Sequence, residues 1–133
     1  MNNSFEKLLA DWLSSFDGLP KISPELLPKK NGELSIKIRK GPQTVRRYIS
    51  GVKIVYAEFS LRLRISHADS KTRLDALKTL ENAGITIREG IGSLSVIKGL
   101  CAGIKEYPKL CQRTDNGDDE YEALYYIVFS EDE

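Results

Sequence analysis

Between residues 51 and 66 the chain alternates, at odd positions after Lys53 and at even positions from Glu58 onward. Val55, Ala57, Phe59, Leu61, Leu63 and Ile65 take one parity, and Glu58, Ser60, Arg62, Arg64 and Ser66 take the other. A period of two describes a strand with one face in an apolar core and the other toward water or a partner, the pattern of an antiparallel sheet. Globular strands usually end after about five or six residues, and this pattern runs more than twice as far. A strand of that length should bend, project beyond its domain, or pair with another chain.

The 133 residues, 41% of them hydrophobic, fit one α+β domain over 1–133 that buries roughly two thirds of its unfolded surface. No run approaches the roughly twenty apolar residues of a membrane span, and the first residues lack a basic start followed by an apolar stretch, so a cytosolic chain is expected. Cys101 and Cys111 show neither CxxC spacing nor a nearby histidine and read as two reduced thiols. His67, the only histidine, has no acid, Ser or Cys partner at a recognised spacing and reads as a structural turn residue. No phosphate-binding loop or GxGxxG motif is present. The acidic run at 115–120 resembles a calcium loop only superficially, because Gly117 stands where an oxygen ligand is required. No catalytic, cofactor-binding or metal-ligating residue is assigned, and the purified chain is expected to hydrolyse nothing and to need no cofactor.

Charge is distributed unevenly. Residues 1–66 carry 12 Lys+Arg against 6 Asp+Glu, and residues 67–133 carry 8 against 13, for balances of +6 and −5. Opposite fields on two faces would steer copies together, while two solvated surfaces are the plainer reading.

In chain order, Phe5, Leu8, Leu9, Trp12, Leu13 and Phe16 form one helical stripe, with Trp12 in the core, ended by Gly18 and Pro20. Residues 19–32 hold three prolines and read as an extended arm, pinned by Leu26 and Leu27 or swapped onto a neighbour. Leu34, Ile36 and Ile38 alternate as a strand that Gly41-Pro42 should break; residues 44–49 resume it, and Ser50-Gly51 turn the chain into the long strand. The expectation is a three-stranded meander with a basic surface of Lys37, Arg39, Lys40, Arg46, Arg47, Lys53, Arg62 and Arg64. Few aromatics lie between these charges, so sequence-specific nucleic-acid recognition has little support, although a phosphate backbone could pass over them.

Asp69 or Ser70 should cap a helix that buries Leu74, Ala76, Leu77, Leu80 and Ala83 and stops at Gly84 in a left-handed cap. Residues 85–104 suggest one or two short strands between scattered glycines. Residues 121–129 are apolar on both faces, which places that strand mid-sheet or at an interface, and 130–133 read as a solvated acidic tail.

One resemblance spans most of the chain. The helix ending Trp12…Phe16…Gly18-Leu19, the proline-containing arm, Gly41-Pro42…Arg47-Tyr48…Gly51, the strand Phe59…Leu61-Arg62…Arg64, a helix and a tyrosine-rich final strand occur in the order seen in minor capsid proteins of long-tailed bacteriophages and prophages. That family is similar to the tail terminator proteins. The likeness rests on pattern and order, and the chain departs from it between 85 and 103. It implies an α+β protomer, a mainly antiparallel sheet with helices packed on it. The protomers would assemble, usually as a homo-hexameric ring, at the head-proximal end of the tail tube in the virion. There the ring would stop tube polymerisation and meet the head connector proteins, without catalysis, cofactor or membrane. Under this resemblance Lys37, Arg39, Lys40, Arg46, Arg47, Arg62 and Arg64 would face the channel that passes DNA or pair with acids of the next subunit. The competing readings are a nucleic-acid-binding or regulatory module using the basic meander, and a small enzyme whose site the residues do not reveal.

Overall fold

The computed structural model describes residues 2–16, 19, 22, 32–66, 69–93, 98–113 and 117–132. Its elements are α1 (Asn2–Ser14), β1 (Leu34–Arg47), β2 (Val52–Ile65), α2 (Ser70–Gly90), a 3-10 turn (Ile91–Ser93), β3 (Lys98–Arg113) and β4 (Asp119–Asp132). The strands form one antiparallel sheet in the order β1-β2-β4-β3. β2 and β3 therefore run parallel with β4 between them, and α2 makes the connection, a split β-α-β unit preceded by a hairpin.

The long alternating strand is answered inside the chain. β2 pairs with β4 without a bulge from Val52↔Asp132 to Ile65↔Asp119. β4 lies mid-sheet, as a strand apolar on both faces requires. The inner face collects Ala57, Phe59, Leu61 and Leu63 of β2 with Tyr121, Ala123, Tyr125 and Ile127 of β4, all buried. Leu80, Ala83 and Ile87 of α2 and Leu9, Trp12 and Leu13 of α1 complete this core, with Leu77 partly buried against it. Phe59 stacks on Tyr125 at 5.5 Å, and the Tyr125 hydroxyl donates to the Leu80 carbonyl at 2.6 Å, tying helix to sheet. Trp12 Nε1 donates to Ser93 Oγ at 3.1 Å and anchors α1 beside the end of α2.

Five expectations are corrected. Leu74, expected on the buried side of the second helix, is exposed. The meander is a two-stranded hairpin, because β1 continues through Gly41-Pro42. A register shift between Lys40 and Gln43 falls there, and an edge strand tolerates a residue without an N–H where the ladder is already interrupted. Gly84 does not cap α2, which runs on to Gly90. A Cβ at Gly84 would lie 2.3 Å from Ile104 Cγ1 and 3.3 Å from Tyr125 Cε1, so its bareness serves close helix-to-sheet approach. Ile85 and Ile87 are consequently helical, and β3 is one 16-residue strand that absorbs Pro108 at a shift between Glu106 and Lys109. Residues 130–132 belong to β4 rather than to a free tail. Asp69 caps α2 as expected, in a reciprocal box: Thr72 N donates to Asp69 Oδ1 and Asp69 N donates to Thr72 Oγ1, each at 2.8 Å. His67, Leu26, Leu27 and most of the proline arm lie outside the described residues.

Leu61→Ala should cost about 2–5 kcal/mol in denaturant unfolding, since it opens a cavity at a fully buried site. A loss below about 0.5 kcal/mol would belong to an exposed residue and would refute the face assignment. Gly84→Ala should destabilise by about 1–3 kcal/mol through overpacking, and Ile104→Ala in the same chain should recover part of that loss. A left-handed cap would give no such rescue.

Candidate functional site

The sheet face turned away from the helices carries most of the charged residues singled out from the sequence. Pairing sets unlike charges directly across β2 and β4, Arg62 opposite Glu122 and Arg64 opposite Glu120. Arg62 reaches Glu120 and Glu122 at 3.3 Å each, Arg64 reaches Asp118 at 2.7 Å, and Arg39 of β1 reaches Glu122 at 2.7 Å while donating to Ser60 Oγ at 3.1 Å. Beside this lattice, the Glu58 carboxylate accepts from Lys105 and from the Tyr56 hydroxyl at 2.8 Å, and Tyr56 stacks on Tyr126 at 6.2 Å. The Lys105 hydrogen bond outweighs burial and holds the Glu58 carboxyl below the usual glutamate range.

Arg39, Arg62 and Arg64 are thus brought together and satisfied by the chain's own acids. Lys37 lies opposite Ser60 and Lys40 opposite Glu58, with Arg46 and Arg47 farther along β1; all four are exposed, and among the described residues Lys37, Lys40 and Arg46 form no ion pair. Of the acids in the second half, Asp118, Glu120, Glu122 and Glu131 are paired with basic residues of the first half.

A second cluster lies on the helix side and was not legible as a site. Asp119, 1% exposed, accepts from Arg73 Nε of α2 at 3.2 Å, Arg113 Nε of β3 at 2.9 Å and the Tyr121 hydroxyl at 3.2 Å. These donors, Arg113 foremost, hold its carboxyl below the usual aspartate range. The signal was present in the parity of Asp119 with Tyr121, Ala123 and Tyr125, which points it inward. The acidic run at 115–120 ends in three buried acids, Asp118, Asp119 and Glu120.

Loss of hydration pushes the Cys111 thiol up, opposite to the shift that activates a nucleophile, and its sulfur donates to the Glu120 carbonyl. Among the described residues no group of three His, Cys, Asp or Glu side chains is arranged to hold a metal ion, and no buried side-chain nitrogen or oxygen lacks a partner. No helix among them is long and apolar enough to cross a membrane.

Two surface features remain. At the β1–β2 turn, Tyr48 N donates to Val52 O at 2.8 Å, Gly51 takes a positive φ of 93°, and Val45, Tyr48 and Ile49 stand in solvent, Ile49 fully. At the opposite sheet edge an open groove of about 360 Å³ lies between α2 and β3, lined by Glu81, Ile85, Arg88, Ile104, Tyr107 and Tyr126, among others.

A carboxyl held low in the folded state contributes stability above its ordinary pKa, here 3.8, and that contribution is lost as pH falls through the lower folded value. Unfolding free energy measured from pH 7 down to pH 2 should therefore drop below about pH 4. Asp119→Asn should flatten this acid limb and cost about 1–3 kcal/mol at pH 7. An unchanged limb would show that the cluster does not bear on stability.

Comparison with protein-family models finds no match, and comparison with curated proteins finds none either.

Proposed function

We propose that the chain is a structural, self-associating protein of the tail-terminator kind. In this reading copies close into a ring, a homo-hexamer in the assembled particle, at the head-proximal end of a bacteriophage tail tube. The ring ends tube polymerisation and presents a surface to the head connector. The observation that carries the reading is the β1–β2 turn, where Val45, Tyr48 and Ile49 are held in water by a hydrogen-bonded turn. Large apolar side chains exposed at an ordered turn and at the strand end beside it suit a contact surface. The polar sheet face supports the same reading, since Arg39, Arg62 and Arg64 are paired there with acids of the same chain. The order of elements that resembles the minor capsid proteins supports it as well.

A second reading has one observation in its favour. Residues 34–57 hold six Lys or Arg and no acid, so the hairpin could lie along a nucleic-acid backbone. Binding of this kind would weaken steeply with salt and show no sequence preference.

Sedimentation at rising concentration, alone and with growing tail tubes, distinguishes the two. Assembly predicts concentration-dependent association and arrest of tube growth. A chain that stays monomeric, leaves tubes growing and binds duplex DNA would overturn it. Reversing Lys37 and Arg46 should weaken association without moving the melting temperature. Reversing Arg62 and Arg64 should lower the melting temperature by roughly 5 °C or more, because Glu120 and Glu122 would then face like charges.

A further inference from the structure

We infer that the sheet face turned away from the helices binds a single nucleic-acid strand, with bases stacked on Tyr56 and Tyr126 and phosphates met by cations at both edges. Such binding is independent of the assembly reading. Register sorts this face into two halves. In one half Arg62 and Arg64 of β2 pair with Glu120 and Glu122 of β4. In the other half the same central strands present Ile54, Tyr56, Tyr126 and Val128, all partly buried. The helices pack on the opposite face, where Leu80 meets Tyr125.

The two tyrosines are held in place. Their rings lie 6.2 Å apart and 13° from parallel. Tyr56 donates to Glu58 at 2.8 Å, and Lys105 donates to the same carboxylate, so the acid beside the rings is already matched by a cation. Glu106, farther along β3, pairs with Lys109 at 3.7 Å. Tyr126 extends over Gly103 of β3, where a Cβ would stand 3.1 Å from its Cε1 and from its hydroxyl oxygen. The bare backbone at Gly103 gives that ring its seat. Rings fixed in advance lose little conformational freedom on binding, and every base has a flat face to stack on them.

Charge selects the occupant. Lys40, Gln43 and Arg46 of β1 lie opposite Glu58, Tyr56 and Ile54, which sets two cations along one side of the aromatic half. Lys98, opposite Ser130 of β4, stands at the other side. Lys40, Arg46 and Lys98 are exposed, and among the described residues none of the three has an ion-pair partner. An aromatic centre between rows of cations complements a strand that offers unpaired bases and one phosphate per nucleotide. A duplex hides its bases and would use the cations alone. An apolar protein partner would leave those cations without counterions. In the sequence few aromatics fall between the basic residues; the β2–β4 ladder supplies them from the far end of the chain.

Fluorescence anisotropy of the full chain with labelled oligothymidylate, oligouridylate and a mixed-sequence duplex, each of about twelve nucleotides, tests this site. Both single strands should bind, and more tightly than the duplex. Tyr126→Leu should weaken single-strand binding roughly 5- to 100-fold, the loss of one stacked base, and Tyr126→Phe should recover most of that loss. Lys40→Gln combined with Lys98→Gln should make the salt dependence shallower, by a slope of about 0.7 for each cation removed. Irradiating the parent chain with a strand carrying 5-iodouracil should crosslink Tyr56 or Tyr126, a readout that stands even if Tyr126→Leu does not fold. Absence of binding to either strand, or crosslinks confined to Tyr48 and Tyr107, would overturn the site. Equal affinity for duplex and single strand, unmoved by Tyr126→Leu, would also overturn it and would assign the binding to phosphates along the hairpin.

Discussion

The bulge-free ladder between β2 and β4 is the interaction on which everything else in this molecule depends. Fourteen residues of each strand stay in register, from Val52↔Asp132 to Ile65↔Asp119. Because parity holds along the whole ladder, Ala57, Phe59, Leu61 and Leu63 stay on the core face, while Arg62, Arg64, Glu120 and Glu122 stay on the other, which becomes apolar toward Ile54, Tyr56, Tyr126 and Val128. A slip of one residue would turn Phe59, Leu61 and Leu63 toward water and put Arg62 and Arg64 under the helices. The same register places Arg62 opposite Glu122 and Arg64 opposite Glu120, so ladder and ion pairs specify each other. Such partly exposed pairs add modest stability, but a slipped register would set some of them against like charges or apolar side chains.

The edge strands behave differently. β1 shifts register three times against β2, and β3 shifts four times against β4. Bulges, Pro42, Pro108 and the lysines of β1 interrupt the rows of N–H and C=O groups that would otherwise invite strand-by-strand addition. Long exposed edges are thereby made poor templates for open-ended pairing. Toward the two edges the chain instead presents side chains, Tyr48 and Ile49 at the β1–β2 turn and Ile85 and Tyr107 at the groove between α2 and β3.

Features governed by local periodicity were legible in the sequence. The inward face of β2, the stripe of α1, the Asp69 cap and the mid-sheet place of β4 all follow from spacing within a few residues. Features governed by distant partners were not. Gly41-Pro42 resembles a strand end, and only the position of β1 at the sheet edge lets the strand pass through. Gly84 resembles a cap, and only Ile104, twenty positions on, shows that it marks close packing. Ile85 and Ile87 are β-branched and favour strands locally, but burial of Ile87 against the core keeps them helical. Of the seven basic residues singled out, Arg39, Arg62 and Arg64 proved to be joined to acids more than fifty positions away, pairings that only the register of β2, β4 and their neighbours creates.

Native-state hydrogen exchange resolved by residue addresses the governing ladder most directly. The slowest amides should be those of Phe59, Leu61 and Leu63 in β2 and of Tyr121, Ala123 and Tyr125 in β4, exchanging only through global opening. β1 beyond Gly41 and β3 around Pro108 should exchange faster, through local opening at their bulges. Equal or greater protection in β3 than in β4 would contradict the strand order, and with it the placement of the turn and the groove on opposite edges.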